Sequence, residues 1–302
     1  MKNNILITGV NGFIGSSLLK ELLIQNHSVV GICNKSCDRI KQFINHQNFT
    51  LLKDGISTKN LNSLDNFNII GVYHLASKQP GGTNENYASF YEANVKTTAL
   101  LINYFKLKNK LDFFIFTSTI SVFGKEIKSP INESEIPEPK NNYSLTKYIS
   151  EKIIEFESED FSRRSIVLRL QSVFGKNDGY GILNFFNIKS SKNEPIELYS
   201  QGKIFRNLII IEDVVSVLTL ITKKLENLDK FEIFQIASQN SLSTYEMASI
   251  VKKLKDSSSK IIRSKQKFEY DWNVFVDISK AKEKLNFFPN KLEDAIKKYI
   301  NE

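Results

Sequence analysis

Short apolar segments alternate with longer amphipathic stretches from the start of the chain to residue 170. The apolar segments are rich in β-branched and aromatic residues and show little alternation, which is typical of strands covered on both faces. They predict strands at Ile5–Thr8, Ser28–Cys33, Leu51–Lys53, Ile69–Leu75, Phe113–Thr117 and Ile166–Leu170. Helical spacing of apolar residues predicts helices at Phe13–Gln25, Thr83–Leu107 and Tyr143–Phe156. The pattern indicates an α/β fold with a doubly wound parallel sheet that binds its ligand at the carboxyl ends of the strands.

After Gly175 turn-forming residues become frequent, and strand-like segments return at Leu208–Ile211 and Phe231–Ile236. Two or three short helices follow, at Thr244–Leu254, Ser279–Leu285 and Leu292–Tyr299. We expect residues 1–175 to form a dinucleotide-binding domain, to which residues 208–237 return. Residues 176–207 and 238–302 then form a smaller mixed C-terminal lobe that binds the substrate over the ligand crevice.

The composition is that of an ordinary globular protein, with 41% hydrophobic and 25% charged residues among 302. Lysine and arginine exceed aspartate and glutamate by 41 to 33, a net charge of +8 that could attract nucleic acid or a small anionic substrate. No dense basic run accompanies the excess, so we expect no nucleic-acid partner.

Membrane insertion and metal binding are not indicated by the sequence. No apolar run reaches the roughly 18 residues needed to span a bilayer, and we expect a cytoplasmic protein without membrane contact. The two cysteines, Cys33 and Cys37, suit a reducing compartment, where a structural disulfide between them is improbable. Cysteines and histidines lack the spacing of a zinc site, so we expect no metal.

Three glycines spaced three residues apart follow the first predicted strand and open the first predicted helix. Gly9 permits a tight turn, Gly12 allows backbone N–H groups to approach a pyrophosphate, and Gly15 lets the helix lie close to the strand. The helix N-terminus supplies donors and partial positive charge to the phosphates. The turn therefore predicts a Rossmann dinucleotide site formed by Gly9, Asn11, Gly12, Phe13, Ile14 and Gly15.

Tyr143 and Lys147 lie one helical turn apart on the same predicted helix face. A free tyrosine has a pKa of about 10 and is a poor base at neutral pH. A nearby ammonium, together with a positively charged nicotinamide, stabilises the phenolate and brings the pKa into a useful range. The Y-x-x-x-K spacing is common by chance, but its position after the fifth strand of a glycine-turn domain makes it a much more specific signal.

These motifs, G-x-x-G-x-x-G and Y-x-x-x-K, resemble the extended short-chain dehydrogenase/reductase family, the NAD-dependent epimerase/dehydratase group. The resemblance covers nearly the whole chain and includes Val72-Tyr73-His74-Leu75-Ala76, Asn94, Leu168-Arg169-Leu170, Arg206-Asn207-Leu208 and Asp277-Ile278-Ser279-Lys280-Ala281. It implies a nicotinamide cofactor, a nucleotide-diphosphate sugar as substrate, and a homodimer formed through helices 83–107 and 143–156. It also places Leu75, Ala76, Tyr143 and Lys147 at the cofactor.

The resemblance further implies the substrate contacts. Thr119 falls where the family has a Ser or Thr hydroxyl that bonds the reacting sugar oxygen, and Ser118 is the alternative if the register differs by one residue. Arg206 falls where an arginine meets the diphosphate, for which a guanidinium group is well shaped. Lys78 is a further candidate for a substrate contact.

Two departures from the family pattern affect the cofactor. The second strand ends without the acidic residue that binds the adenine ribose in NAD-dependent members, and Asn34 and Lys35 stand there instead. Loss of the carboxylate removes repulsion against a 2′-phosphate, so we favour NADP over NAD. Asp54 matches the residue that meets the adenine ring, but it is shifted by one position. Either a local bulge restores that contact or the contact is missing.

The segment after Thr119 restricts the chemistry. Sugar 4,6-dehydratases carry an Asp-Glu pair there, and this chain has Ile120-Ser121. Reduction of a keto sugar and 4-epimerisation remain. We favour reduction of a nucleotide-linked 4-keto-6-deoxy sugar for surface polysaccharide synthesis, with a 4-epimerase holding tightly bound NAD as the alternative. A non-catalytic NADP-sensing regulator is a remote alternative, because such proteins typically lose the Tyr/Lys pair.

Overall fold

The computed structural model describes residues 2–34, 36–81, 85–108, 111–124, 130–176, 178–267 and 272–301. Its strands are β1 (Asn3–Thr8), β2 (Ser28–Ile32), β3 (Phe49–Leu52), β4 (Asn68–His74), β5 (Phe113–Thr119), β6 (Ser165–Leu170), β7 (Val173–Phe174), β8 (Ile196–Leu198), β9 (Phe205–Arg206), β10 (Ile209–Ile210), β11 (Phe231–Ile236), β12 (Leu242–Ser243) and β13 (Ile261–Arg263). Its α-helices are α1 (Phe13–Ile24), α2 (Thr58–Ser63), α3 (Tyr87–Phe90), α4 (Thr97–Lys106), α5 (Asn142–Phe161), α6 (Gly181–Ser191), α7 (Ile211–Thr222), α8 (Thr244–Leu254), α9 (Ser279–Leu285) and α10 (Leu292–Asn301).

Seven strands form the large sheet, in the order β11-β6-β5-β4-β1-β2-β3. Neighbours among β1 to β5 pair in parallel, so each connection crosses over with a helix or turn. The strand order reverses between β1 and β4, which is where a doubly wound sheet opens a ligand crevice beyond its strand ends. The predicted Rossmann-type α/β fold is therefore confirmed.

The chain divides into two compact units. The first comprises Met1–Gly124, Ile136–Arg169 and Val215–Phe234, and its core is formed by side chains of the large sheet together with α2, α4 and α5. The second comprises Lys125–Glu135, Leu170–Val214 and Gln235–Glu302. In that unit α8 packs against α6 and α10 around a separate apolar core, beside the parallel pair β8–β13 and the antiparallel pair β9–β12.

Two elements differ from their predictions. The helix expected from Thr83 begins at Tyr87, because the Asn86 side chain caps it by accepting from the Ser89 N–H at 2.9 Å. Thr83 itself lies outside the described residues. The apolar run at Leu208–Ile211 forms only the two-residue strand β10, and α7 begins at once at Ile211. Glu212 and Asp213 lie in the first turn of α7, where negative charge favours a helix start.

Among the described residues, no helix is both long and apolar enough to cross a membrane.

Candidate active site

In the turn between β1 and α1, the positions of Gly9 and Gly15 leave no room for a side chain. Gly9 has a φ of +70°, and a Cβ there would lie 2.8 Å from the backbone N and Cα of Ala76. A Cβ on Gly15 would overlap the Gly9 carbonyl oxygen, so α1 lies directly against the turn. The first helical hydrogen bond runs from Ser16 N–H to the Gly12 oxygen at 2.9 Å. The N–H groups of the first turn of α1, which begins at Phe13, are thus free of intrahelical bonds, and the turn fits a pyrophosphate.

A cavity of about 640 Å³ lies beside this turn. Eight of the predicted cofactor and substrate residues line it, namely Gly9, Asn11, Gly12, Asn34, Asp54, Leu75, Ala76 and Lys78. The remaining predicted members of the glycine motif, Phe13, Ile14 and Gly15, form the first turn of α1. Lys35 lies outside the described residues. Sequence reasoning missed further lining residues, among them Cys33, Ser36 and Ile56.

A backbone irregularity brings Asp54 to the cavity. Asp54 and Gly55 both have left-handed backbone conformations, with φ of +74° and +70°. The Gly55 N–H donates to the Cys33 carbonyl at 2.8 Å, and the Asn60 side chain donates to the Gly55 carbonyl at 2.7 Å. Two successive left-handed residues accommodate the additional residue, which corresponds to the local bulge considered in the sequence.

The segment after β2 is tied to the glycine turn by one side chain. The Asn11 Oδ1 accepts from the Arg39 N–H at 2.9 Å, and the Asn11 Nδ2 donates to the Ser36 Oγ at 3.5 Å. The Asp38 carboxylate accepts from the Ser36 hydroxyl at 2.7 Å and pairs with Lys41 at 3.0 Å. The carboxylate of Asp38 is therefore engaged by Ser36 and Lys41, and Asp38 is not among the residues that line the cavity.

Tyr143 lies in the first turn of α5, which Asn141 caps by accepting from the Ser144 N–H at 2.8 Å. The side chains of Gln79 and Thr119 lie near the Tyr143 hydroxyl. Burial raises the pKa of Tyr143 above its ordinary value, and the hydrogen-bonding groups of these two side chains oppose the shift. The structure thus brings together the predicted pair Tyr143 and Thr119, and it adds Gln79.

The two adjacent hydroxyls at the end of β5 have different partners. Thr119 Oγ1 lies 3.0 Å from Ser121 Oγ and near the Tyr143 hydroxyl. Ser118 is buried and donates to the Glu151 carboxylate. Tyr143 and Glu151 both belong to α5, so the two hydroxyls meet the same helix about two turns apart.

Lys147 is only 2% exposed. Its Nζ lies 3.9 Å from the centroid of the Phe116 ring. Burial lowers the pKa of Lys147 from 10.5 to about 7, against the opposing charge of Glu151. The group that is predicted to assist Tyr143 can therefore lose its proton near neutral pH.

A buried ion pair lies one helical turn beyond Lys147. Glu151 accepts from Arg169 Nη2 at 2.8 Å and from Arg169 Nε at 3.2 Å, and both side chains are at most 3% exposed. The pair was missed in the sequence, although Glu151 follows Lys147 by four residues and so shares its helix face.

A chain of buried polar groups joins β1 to the helix that carries Tyr143. The ring of His74 bonds Thr8 at 2.7 Å and Thr98 at 2.9 Å, and Thr98 donates to the Asn94 carbonyl at 2.7 Å. The Asn94 side chain donates in turn to Thr146 at 3.0 Å. Burial lowers the pKa of His74 to about 3, so this histidine is neutral and structural. Asn94 lies in the π-helical segment Tyr91–Lys96, a rare conformation often found at functional sites.

Lys78 and Arg206, the predicted substrate contacts, lie in different units. The Lys78 Nζ donates to Ser89 Oγ at 2.9 Å and lies 5.3 Å from the Phe90 ring centroid. That ring lies 6.3 Å from the Tyr143 ring. Arg206 belongs to the second unit, where its Nη1 donates to the carbonyls of Phe205 and Trp272. Among the described residues, no group of three or more His, Cys, Asp or Glu could hold a metal ion.

Comparison with known proteins identifies the group to which this site belongs. The model of the NAD dependent epimerase/dehydratase family matches residues 5–237. The chain belongs to this family. It is therefore an enzyme, as the sequence predicted.

The similarity of this epimerase/dehydratase family member to individual relatives extends along nearly its whole length. It is 26% identical to an uncharacterized UDP-glucose epimerase, YtcB, of Bacillus subtilis, over 97% of this chain and 95% of that protein. It is 27% identical to a dTDP-4-dehydro-6-deoxyglucose reductase of Escherichia coli, over 99% of this chain and 97% of that protein. The structure of the UDP-glucuronic acid 4-epimerase of Bacillus cereus with UDP-glucuronic acid and NAD superposes with a TM-score of 0.85, at 24% identity and over 99% and 98% of the chains.

Proposed function

We propose that this enzyme reduces a nucleotide-linked 4-keto-6-deoxy sugar with NAD(P)H, in the synthesis of a surface polysaccharide. The observation that carries the proposal is the placement of Thr119 beside the Tyr143 hydroxyl, with Lys147 buried one turn along the same helix. A bound dinucleotide supplies hydride transfer. The residues of the chain supply proton transfer and orientation.

Tyr143 is the proton donor to the carbonyl oxygen of the sugar. Its raised pKa keeps the phenol protonated at neutral pH, as a reductase requires before turnover. Thr119 lies beside the Tyr143 hydroxyl, so a sugar oxygen placed between them receives hydrogen bonds from both. In its protonated form, Lys147 stabilises the phenolate that remains after proton transfer.

Elimination of water is not supported by the residues that follow Thr119. Ile120 and Ser121 lie in the short 3-10 turn Ile120–Phe123, and neither carries a carboxylate. A dehydratase needs an acid and a base at this place to remove a hydroxyl group and a proton.

NADP is the proposed cofactor. The described residues between β2 and the start of the following 3-10 helix, Asn34 and Ser36 among them, offer no carboxylate to the cavity, and Asp38 is engaged by Ser36 and Lys41. This segment therefore places no carboxylate against a 2′-phosphate, and the acidic side chain that lines the cavity, Asp54, comes from the segment after β3. The reductase of Escherichia coli, similar over nearly the whole length, supports the reductive direction.

A 4-epimerase that retains NAD is the second candidate. It is favoured by the similarity to the Bacillus subtilis epimerase and by the NAD-bound structure of the Bacillus cereus enzyme. The same three residues serve both reactions, since epimerisation is oxidation followed by reduction on the other face.

The proposal is tested by the absorbance of the reduced nicotinamide after addition of a nucleotide-linked 4-keto-6-deoxy sugar, with NADPH and with NADH. Stoichiometric loss of absorbance, faster with NADPH, is expected. Absence of net loss, together with conversion of a nucleotide hexose to its C4 epimer, contradicts the reductase and supports the epimerase.

We also propose a homodimer through α5 and α4. The outer face of α5 carries a surface pocket of about 350 Å³ lined by Tyr148, Ile149, Lys152, Ile153, Phe156 and Glu157. Phe156 is 83% exposed in the single chain. Light scattering should give a dimer for the wild type and a monomer for Phe156→Glu, and a monomeric wild type contradicts this assembly.

A further inference from the structure

The two cysteines of the chain lie against each other at the edge of the cofactor cavity. Cys33 directly follows β2 and lines the cavity, while Cys37 precedes the 3-10 helix Asp38–Phe43. Their Sγ atoms are 3.0 Å apart and both thiols are free. Since a disulfide bond has a length of about 2 Å, closure requires a movement of only about 1 Å.

Two described residues between these thiols belong to the lining of the cofactor cavity. Asn34 and Ser36 line the cavity between them. Ser36 and Arg39 are bonded by Asn11 of the glycine turn. The Cys33 end is fixed, because its N–H donates to the Leu52 carbonyl at 3.1 Å and its carbonyl accepts from Gly55. A displacement of Cys37 is therefore transmitted to Ser36 and to the contact with Asn11.

We propose that Cys33 and Cys37 form an oxidisable dithiol site, and that its disulfide weakens dinucleotide binding. The inference rests on the proposed function, in that it assumes a dinucleotide in this cavity. A peroxide is the oxidant. The half-buried Cys37 is oxidised first, because Cys33 is only 3% exposed.

Each step balances. The Cys37 sulfur takes one oxygen from hydrogen peroxide, which gives a sulfenic acid and one water. The Cys33 sulfur then attacks the Cys37 sulfur, the S–S bond forms, the S–O bond breaks, and the hydroxyl leaves as water with the Cys33 proton. Two thiols are oxidised to one disulfide as one peroxide is reduced to two waters.

The coupling is reciprocal. If the disulfide weakens dinucleotide binding by a given factor, the bound dinucleotide disfavours the disulfide by the same factor. Bound dinucleotide also covers Cys33 in the cavity. Disulfide formation should therefore be slower in the loaded enzyme than in the cofactor-free enzyme.

The test compares the cofactor-free wild type before and after hydrogen peroxide. Intact mass and peptide mapping should show loss of two hydrogens and a Cys33–Cys37 linkage. Calorimetric titration should then show dinucleotide affinity lowered by about tenfold and restored by dithiothreitol. Amide exchange of residues 33–39 should change with the disulfide and not with peroxide in Cys37→Ser.

Cys37→Ser is the control, because Cys37 does not line the cavity. It should bind dinucleotide like the reduced wild type and keep that affinity after peroxide. No intramolecular linkage, or a linkage that leaves affinity unchanged, overturns the inference while the proposed function stands. If the reduced wild type binds neither NAD nor NADP, the proposed function fails, and with it the effect on cofactor binding.

Discussion

The buried amino group of Lys147 makes the free energy of unfolding depend on pH. Its pKa falls from 10.5 in the ordinary state to about 7 in the folded protein, with burial as the main cause. Between these two values the unfolded chain binds a proton that the folded chain does not. Stability therefore rises with pH across the window from about 7 to about 10.5. Below pH 7 the destabilisation by this group is complete.

Lys147→Met removes this dependence. Each pKa unit corresponds to about 1.4 kcal/mol, so the wild type should gain about 2 kcal/mol from this group between pH 7 and pH 9. Methionine keeps the apolar stem and leaves the Glu151–Arg169 pair intact. The variant should be at least as stable as the wild type at pH 7, although it loses catalysis.

The assay is urea unfolding of the cofactor-free proteins at pH 7 and pH 9. Lys20→Met is the matched control, because Lys20 lies exposed on helix α1 and does not line the surface pocket of α5. The control should show the same increase in the free energy of unfolding between pH 7 and pH 9 as the wild type. In Lys147→Met this increase should be smaller by about 2 kcal/mol. Equal pH dependence in the wild type and in Lys147→Met would refute the burial of a neutral lysine.

Other substitutions test the roles of single groups. Tyr143→Phe should lower turnover by about 10²- to 10⁴-fold while dinucleotide affinity stays unchanged, as measured by single-turnover kinetics and calorimetry; normal turnover excludes its role as proton donor. Thr119→Val should lower kcat with little change in melting temperature, whereas Ser118→Ala should mainly lower the melting temperature, because it removes a hydrogen bond to a buried carboxylate. The reverse result would exchange the two roles. Gly15→Ala should lower both melting temperature and dinucleotide affinity, since the added methyl overlaps the Gly9 carbonyl; wild-type values for both would contradict the close approach.

The local motifs could be predicted from the sequence because their chemistry is set by short spacing. The glycine turn needs only three residues at fixed intervals between a strand and a helix, and Tyr143 and Lys147 need only one helical turn. Thr119 was preferred over Ser118 on the resemblance alone, because the sequence does not show which hydroxyl lies nearer Tyr143. Both hydroxyls meet α5, and their partners there are decided by packing.

Contacts between distant segments were beyond the reach of sequence patterns. Gln79 lies in a loop without periodicity, and its position near Tyr143 depends on the path of that loop. The pairing of Glu151 with Arg169 joins a helix to a strand. The helix α7 was missed because an apolar run resembles a strand until its acidic first turn is considered.

The central claim is that a hydride passes between a nicotinamide cofactor and C4 of a nucleotide-linked sugar at Tyr143. The most direct measurement is NMR of the product formed from the 4-keto-6-deoxy sugar and reduced cofactor carrying deuterium at the transferred position. We predict one deuterium at C4 with the wild type, and formation of the same labelled product about 10²- to 10⁴-fold more slowly with Tyr143→Phe. A reduced product without deuterium at C4, or formation of labelled product by Tyr143→Phe at the wild-type rate, would contradict the account.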